Sequence, residues 1–176
     1  GCDAVVAEGF EAGGHNGREE TTTMVLIPCV SKAVDIPVIA AGGIATGRQM
    51  LAALVLGASA VQIGSRFVAS VEASCHNNFK NAVIDAIEGE TMLSLKALTP
   101  VRLLKNNFYQ QVQQAESICA SKKQLEELLG RGRAKKGMFE GNMDDGELEI
   151  GQVSSMINNI KPAAEILNEI WMEYND

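Results

Sequence analysis

A chain of 176 residues, 46% hydrophobic and 21% charged, carries enough apolar side chain to close a core as one soluble globular unit, which excludes disorder and fibrous assembly. With 22 acidic against 15 basic residues and a formal charge of −7, it has the wrong sign for nucleic acid or an anionic membrane as its main partner. Cys2, Cys29, Cys75 and Cys119 lie far apart with no C-x-x-C pair and no histidine cluster, so no metal site and no disulfide framework is expected, and reduced thiols fit a cytoplasmic protein.

No apolar run reaches the roughly 18 residues of a membrane span, and no signal peptide with a basic start opens the chain. It begins Gly1-Cys2-Asp3 without an initiator methionine and enters an apolar run at once, so it reads as cut into a fold already under way. That run, Ala4 to Ala7, has the length and composition of a buried strand. The glycine-rich loop behind it, Glu8 to Gly17, carries His15, one of two histidines in the chain. Glycine lets backbone approach a ligand, and imidazole transfers protons near neutrality, so this loop is the first candidate site. Glu8 and Glu11 could be paired acid and base, but an irregular loop fixes no separation between them; positioning roles fit better, with Glu8 at the ligand edge.

From Thr21 to Val34 the apolar residues recur at helical spacing, with Thr22 or Thr23 as N-cap and Pro28 as a kink. A second strand follows at Pro37 to Ala41 and runs into Gly42-Gly43. Thr46 and Gln49 form a capping-box pattern, Met50 to Leu56 is a helical run, and Gly57 stands where a glycine cap belongs. The third strand, Ala60 to Ile63, leads into Gly64-Ser65-Arg66-Phe67 and then a helix over 72–87. This alternation predicts right-handed βα units on a parallel sheet.

The alternation stops there. Thr99-Pro100 reads as a helix start, Ser121 with Gln124 as another that Gly130 closes, and Pro162 begins a last helix ending near Tyr174. The predicted organisation is three βα units over 1–90 and a helical tail over 91–176 with a long loop at 130–151. A closed (β/α)8 barrel needs about 250 residues. The chain is therefore either a small open α/β domain or the C-terminal portion of a barrel, and its abrupt start favours the second.

Two loops carry chemistry together. Gly42-Gly43 before a helix N-terminus offers unpaired N–H groups to an anion, and Gly64-Ser65 offers the same one βα unit later. Adjacent loops of this kind form the phosphate grip of many barrels. Arg66 is either a phosphate partner or half of a salt bridge, and Arg131, Arg133, Lys135 and Lys136 are either a solvated loop or a dock for an acidic partner. Met138, Phe139 and Met143 read as loop packing, and Cys75-His76 as neighbours that point apart rather than a nucleophile and its base.

The segments Glu8-Gly-x-Glu-Ala-Gly-Gly-His-x-Gly, Pro-Val-Ile-Ala-Ala-Gly-Gly-Ile and Val-Gln-Ile-Gly-Ser-Arg-Phe together resemble the C-terminal half of the nitronate monooxygenase (2-nitropropane dioxygenase) family, which includes the flavin-dependent enoyl-[acyl-carrier-protein] reductase II enzymes. The close matches cover residues 1 to 80, and Gly146 to Ile157 is similar more loosely. The resemblance implies the C-terminal portion of an FMN-binding TIM barrel with a helical C-terminal tail. It places Glu8 and Gly13 near the flavin, Gly42 and Gly43 at its phosphate, Gln62, Ile63, Gly64 and Ser65 in the second grip, and His15 as the active-site histidine. The activity it implies first is oxidation of alkyl nitronates with O2, His15 positioning the nitronate or taking its carbon-acid proton. The alternative is an enoyl thioester reductase drawing on NAD(P)H, with acyl carrier protein as partner and His15 at the thioester end. Monooxygenase members often carry Gln where this chain has Glu8, and Ala-Glu-Gly is closer to the reductases. Two rivals stand beside these: a phosphosugar isomerase or aldolase barrel without flavin, and an inactive partial barrel whose open edges require a partner or a homo-oligomer.

Overall fold

Each of the three apolar runs becomes a strand in the computed structural model, which describes residues 1–176. In chain order the first part contains β1 (Val5–Glu8), β2 (Gly14–His15), α1 (Thr23–Ala33), β3 (Val38–Ala41), α2 (Gly47–Val55), β4 (Ala60–Gln62), α3 (Ser65–Val68) and α4 (Asn77–Asp85). Strands β1, β3 and β4 pair in that order and in parallel, with Ala7 opposite Ala40 and Ala41 opposite Gln62. Small side chains on the helix-facing side let α1 and α2 settle close, and Ala7, Val38 and Ala40 share a core with Ile27 of α1 and Ala53 of α2. Burial of such a face is the main force holding a βα layer, at about 25 cal/mol for each Å² removed from water.

The caps differ in origin. Thr46 accepts from the Gln49 N–H at 3.2 Å and Gln49 Oε1 accepts from the Thr46 N–H at 3.2 Å, so α2 is capped as predicted. Thr22 occupies the N-cap of α1, but its side chain makes no capping bond. The Glu11 carboxylate takes that place from the preceding loop, accepting from the Thr23 N–H at 3.0 Å.

After α4 the sequence reading needs correction. Thr99-Pro100 opens no helix: Val101–Leu104 is a strand, β6, paired antiparallel with β5 (Thr91–Ser94) on one side and β2 on the other. Val-Arg-Leu-Leu is buried at all four positions and ends at Lys105-Asn106, too short for a helix but the right length for a central strand. The helix starts only at Asn106, whose side chain accepts from the Tyr109 N–H, giving α5 (Asn107–Ser117). Then α6 (Lys122–Leu129) begins at the Ser121-Gln124 capping box and stops at Gly130, where φ is +65°. The tail is therefore mixed, and its core of Leu95, Val101, Leu103, Phe108, Val112 and Leu125 joins β6 to α5 and α6.

The stretch predicted as a long loop contains a π-helical turn, Lys135–Phe139, against which Gly146 lies so closely that a Cβ there would sit 2.2 Å from the Gly137 Cα. A 3₁₀ turn at Gln152–Met156 follows, and α7 (Ala163–Asn175) starts after Pro162 and packs on α2. No helix is long and apolar enough to cross a membrane.

Candidate functional site

A cleft of about 260 Å³ opens at the C-terminal ends of β1, β3 and β4, where the strand-to-helix turns meet the tail. Glu8 enters it from β1, Gly13 from the following loop, Gly42 and Gly43 from behind β3, and Gln62, Gly64 and Ser65 from behind β4. Ile63 does not line it. Side chains alternate along a strand, so with Gln62 on the cleft side Ile63 packs into the core beside α2.

The turn behind β3 is built for close approach. Gly42 and Gly43 adopt φ of +83° and +71°, and a Cβ on Gly42 would come within 2.8 Å of the Gly9 carbonyl oxygen. The N–H groups of Gly42, Gly43 and Ile44 have no acceptor within the chain. By contrast, the end of α2 is mostly closed: the Gly47 N–H is held by Glu173 at 2.8 Å and the Gln49 N–H by Thr46, which leaves the Arg48 N–H free. The anion-binding capacity thus sits in the turn itself rather than at the helix N-terminus where the sequence pattern located it. Behind β4, the N–H groups of Gly64 and Ser65 are also without acceptors. The Ser65 hydroxyl accepts from the Gly151 N–H at 3.0 Å, which leaves its own proton free to donate into the cleft.

The apolar part of the lining comes from Val68 of α3 and, from the tail, Met138, Ile150 and Val153. No Lys or Arg lines the cleft, whereas Glu8, Glu11 and Glu149 do. Desolvation pushes the Glu8 carboxyl above its ordinary value. Burial pushes Glu149 up as well, opposed by the charge of His15 nearby. Glu147, buried behind Glu149, is pushed up to about 7 by burial and by Glu149, with Arg133 pulling the other way.

His15 stands at the rim. It is exposed and outside the cleft lining, fixed by β-pairing with Val101 and by the bond from the Asn16 N–H to the Pro100 carbonyl at 2.8 Å. Arg66 is neither a phosphate partner nor an ion pair: it is buried and donates to the Asn159 carbonyl and side chain. Of the basic run, Arg133 turns inward over the Phe108 ring and donates to three backbone carbonyls, while Lys135 and Lys136 pair with Glu140 and Asp145. Glu147 and Glu149 escaped the sequence reading, although Glu-Leu-Glu-Ile between Gly146 and Gly151 has the alternation of a strand that aims every second residue one way. Leu104 indeed donates to the Leu148 carbonyl, which lays this segment along β6.

Comparison with known proteins bears on what such a cleft serves. The family model for nitronate monooxygenase matches residues 1–173. A probable nitronate monooxygenase of Staphylococcus saprophyticus is 32% identical over 96% of this chain and 53% of its own length. One from Staphylococcus aureus is 39% identical over 66% of this chain and 35% of its own. The structure of FabK from Thermotoga maritima aligns with a TM-score of 0.93 at 44% identity, covering 99% of this chain and 55% of that one. Nitroalkane oxidase from Streptomyces ansochromogenes aligns with a TM-score of 0.78 at 32% identity, covering 99% and 52%. The chain spans about half the length of these relatives.

Proposed function

This chain belongs to the nitronate monooxygenase family as an α/β chain matching about half of its TIM-barrel members, and we propose that its cleft holds the phosphate and part of the ring system of FMN in an oxidoreductase. One observation carries the reading. Two sets of acceptor-free N–H groups, at Gly42–Ile44 and Gly64–Ser65, lie at neighbouring strand ends in one cleft with Val68, Met138, Ile150 and Val153. A phosphate with an attached flat apolar ring needs that combination, and FMN fits it.

When bound, FMN supplies the hydride chemistry. The residues of this chain bind and orient. The turn N–H groups and the Ser65 hydroxyl hold the phosphate without a cationic side chain, as backbone donors do in other phosphate sites. Val68, Met138 and Val153, apolar residues of the cleft lining, would exclude water from the bound ring. Glu8, at the end of β1, would hold the polar edge of the ring, and His15 at the rim would orient or protonate the substrate's electron-rich oxygen.

For the substrate, an enoyl thioester on a carrier, reduced with NAD(P)H, is better supported than an alkyl nitronate oxidised with O2. FabK, the enoyl-[acyl-carrier-protein] reductase II of this family, aligns more closely than nitroalkane oxidase, and Glu8 agrees with that branch. The nitronate reading keeps the support of the curated relatives. The test is a visible spectrum with added FMN, then NADH consumption with a crotonyl thioester beside oxygen consumption with an alkyl nitronate. A flavin-bound spectrum and NADH oxidation dependent on the thioester are expected. Oxygen uptake with nitronate alone would move the chain to the other branch, and a protein that binds no flavin would favour the two rivals, a phosphosugar barrel or an inactive partial barrel.

A further inference from the structure

Arg102 is 1% exposed, in the middle of β6, and makes no ion pair. Its Nε and Nη2 both donate to the Phe10 carbonyl oxygen, at 3.1 and 2.9 Å, and Nη1 lies 3.4 Å from the Thr91 hydroxyl. The guanidinium also covers the Phe10 ring, 4.4 Å from its centroid. A buried cation devoted to one peptide oxygen is a costly way to fill space, because desolvation is not offset by a carboxylate in contact. A planar fork instead fixes direction.

What lies beyond that oxygen is the cleft. The peptide that Arg102 grips joins Phe10 to Glu11. The Glu11 carbonyl accepts from the Gln152 N–H at 2.9 Å, and its carboxylate accepts from the Thr23 N–H and hydroxyl, each at 3.0 Å. The single Thr23 hydroxyl proton is shared between that carboxylate and the Gly42 carbonyl oxygen, 2.9 Å away, and the Glu11 side chain lies 3.4 Å from where a Cβ of Gly43 would be. We propose that Arg102 is a positioning residue for the cleft: through the Phe10–Glu11 peptide it aims the Glu11 carboxylate that supports the Gly42-Gly43 turn. Burial lowers the pKa of the guanidinium, and the charges of Glu11 and Glu20 offset only part of that. Nothing in the sequence marks the role, since Arg102 sits 92 residues from Phe10.

The proposal rests on the flavin reading only for its consequence, and the experiment separates the two. Amide hydrogen exchange is followed residue by residue on the wild type, Arg102→Lys and Arg102→Gly, the last with and without guanidinium ion at low millimolar concentration. FMN affinity is read in parallel by fluorescence quenching. Exchange at Thr23 and Gln152 is expected to rise about tenfold in both variants, the effect of losing a charge-assisted bond. The β1–β3 ladder should keep its protection, guanidinium should restore Arg102→Gly, and FMN should bind about tenfold more weakly wherever Thr23 and Gln152 are loosened. Unchanged exchange at those two amides overturns the proposal, as does a uniform loss across the ladder, which is what a merely stabilising residue would give. Should Arg102→Gly not fold, Arg102→Lys decides alone. A wild type that binds no FMN sinks the flavin reading, while the exchange pattern still tests Arg102.

Discussion

The parallel β1-β3-β4 layer and the antiparallel β2-β6-β5 layer meet at the cleft and contribute opposite things to it. The parallel layer presents backbone: glycine turns with acceptor-free N–H groups, held by short elements and small side chains. The antiparallel layer and the segments along it present side chains, among them Arg102 on the His15 loop, Glu149 at the cleft and Met138 on its wall. A binding surface made of backbone tolerates few side chains of its own, so charge and shape must arrive from elsewhere. The two layers should therefore be separable by mutation in stability but not in binding.

The largest effect should come from the core of the antiparallel layer. Phe108 is fully buried among Val101, Leu103, Val112 and Leu125, with Arg133 over its ring. Phe108→Ala is expected to destabilise the chain by about 3–5 kcal/mol in urea unfolding. Because β2 is paired to β6, the His15 imidazole signals should melt with that layer rather than with β1 and β3. If His15 instead follows the parallel layer, the division drawn between the two regions is wrong.

A smaller effect should distinguish the regions by pH. Burial and Glu149 lift Glu147 from an ordinary 4.5 to about 7, so the folded chain binds a proton that the unfolded chain releases. Stability from the neutral carboxyl is full below the unfolded value and is lost as pH rises through the folded one, between about 4.5 and 7. Glu147→Gln stays neutral throughout. Its stability relative to wild type should climb across that window by up to about 3 kcal/mol and then level off. A constant difference between the two proteins across those pH values would mean that Glu147 titrates in the fold as it does in the unfolded chain.

The two regions were also unequally legible. In the parallel layer every signal is local: an apolar run, then glycines, then a capping box, so Gly42, Gly43, Gly64 and Ser65 stand out from the neighbouring sequence alone. In the antiparallel layer the signals misled or were missing. Thr99-Pro100 has the form of a helix start, yet the residues after it are drawn into a sheet by partners at residues 14–15 and 91–94. Strand β2 is two residues long and exists only because β6 is there to pair with it. Glu149 and Arg102 act on residues far away in sequence, and no periodicity encodes that distance.

The smallest effect sharpens the comparison from the parallel side. Thr46→Ala removes the acceptor of the Gln49 N–H but leaves Gln49 Oε1 bonded to the Ala45 N–H at 2.8 Å, and Glu173 still holds the Gly47 N–H. Half of the capping box survives, so the cost should fall near the low end for a lost cap, about 0.5–1 kcal/mol. Restricted to α2 and the turn before it, the change should leave the β5-β6 amides at wild-type exchange. It should weaken FMN binding only slightly, because the donors at Gly42–Ile44 precede the cap and do not depend on it. A large loss of FMN affinity from this one hydroxyl would show that the helix end, not the glycine turn, carries the phosphate.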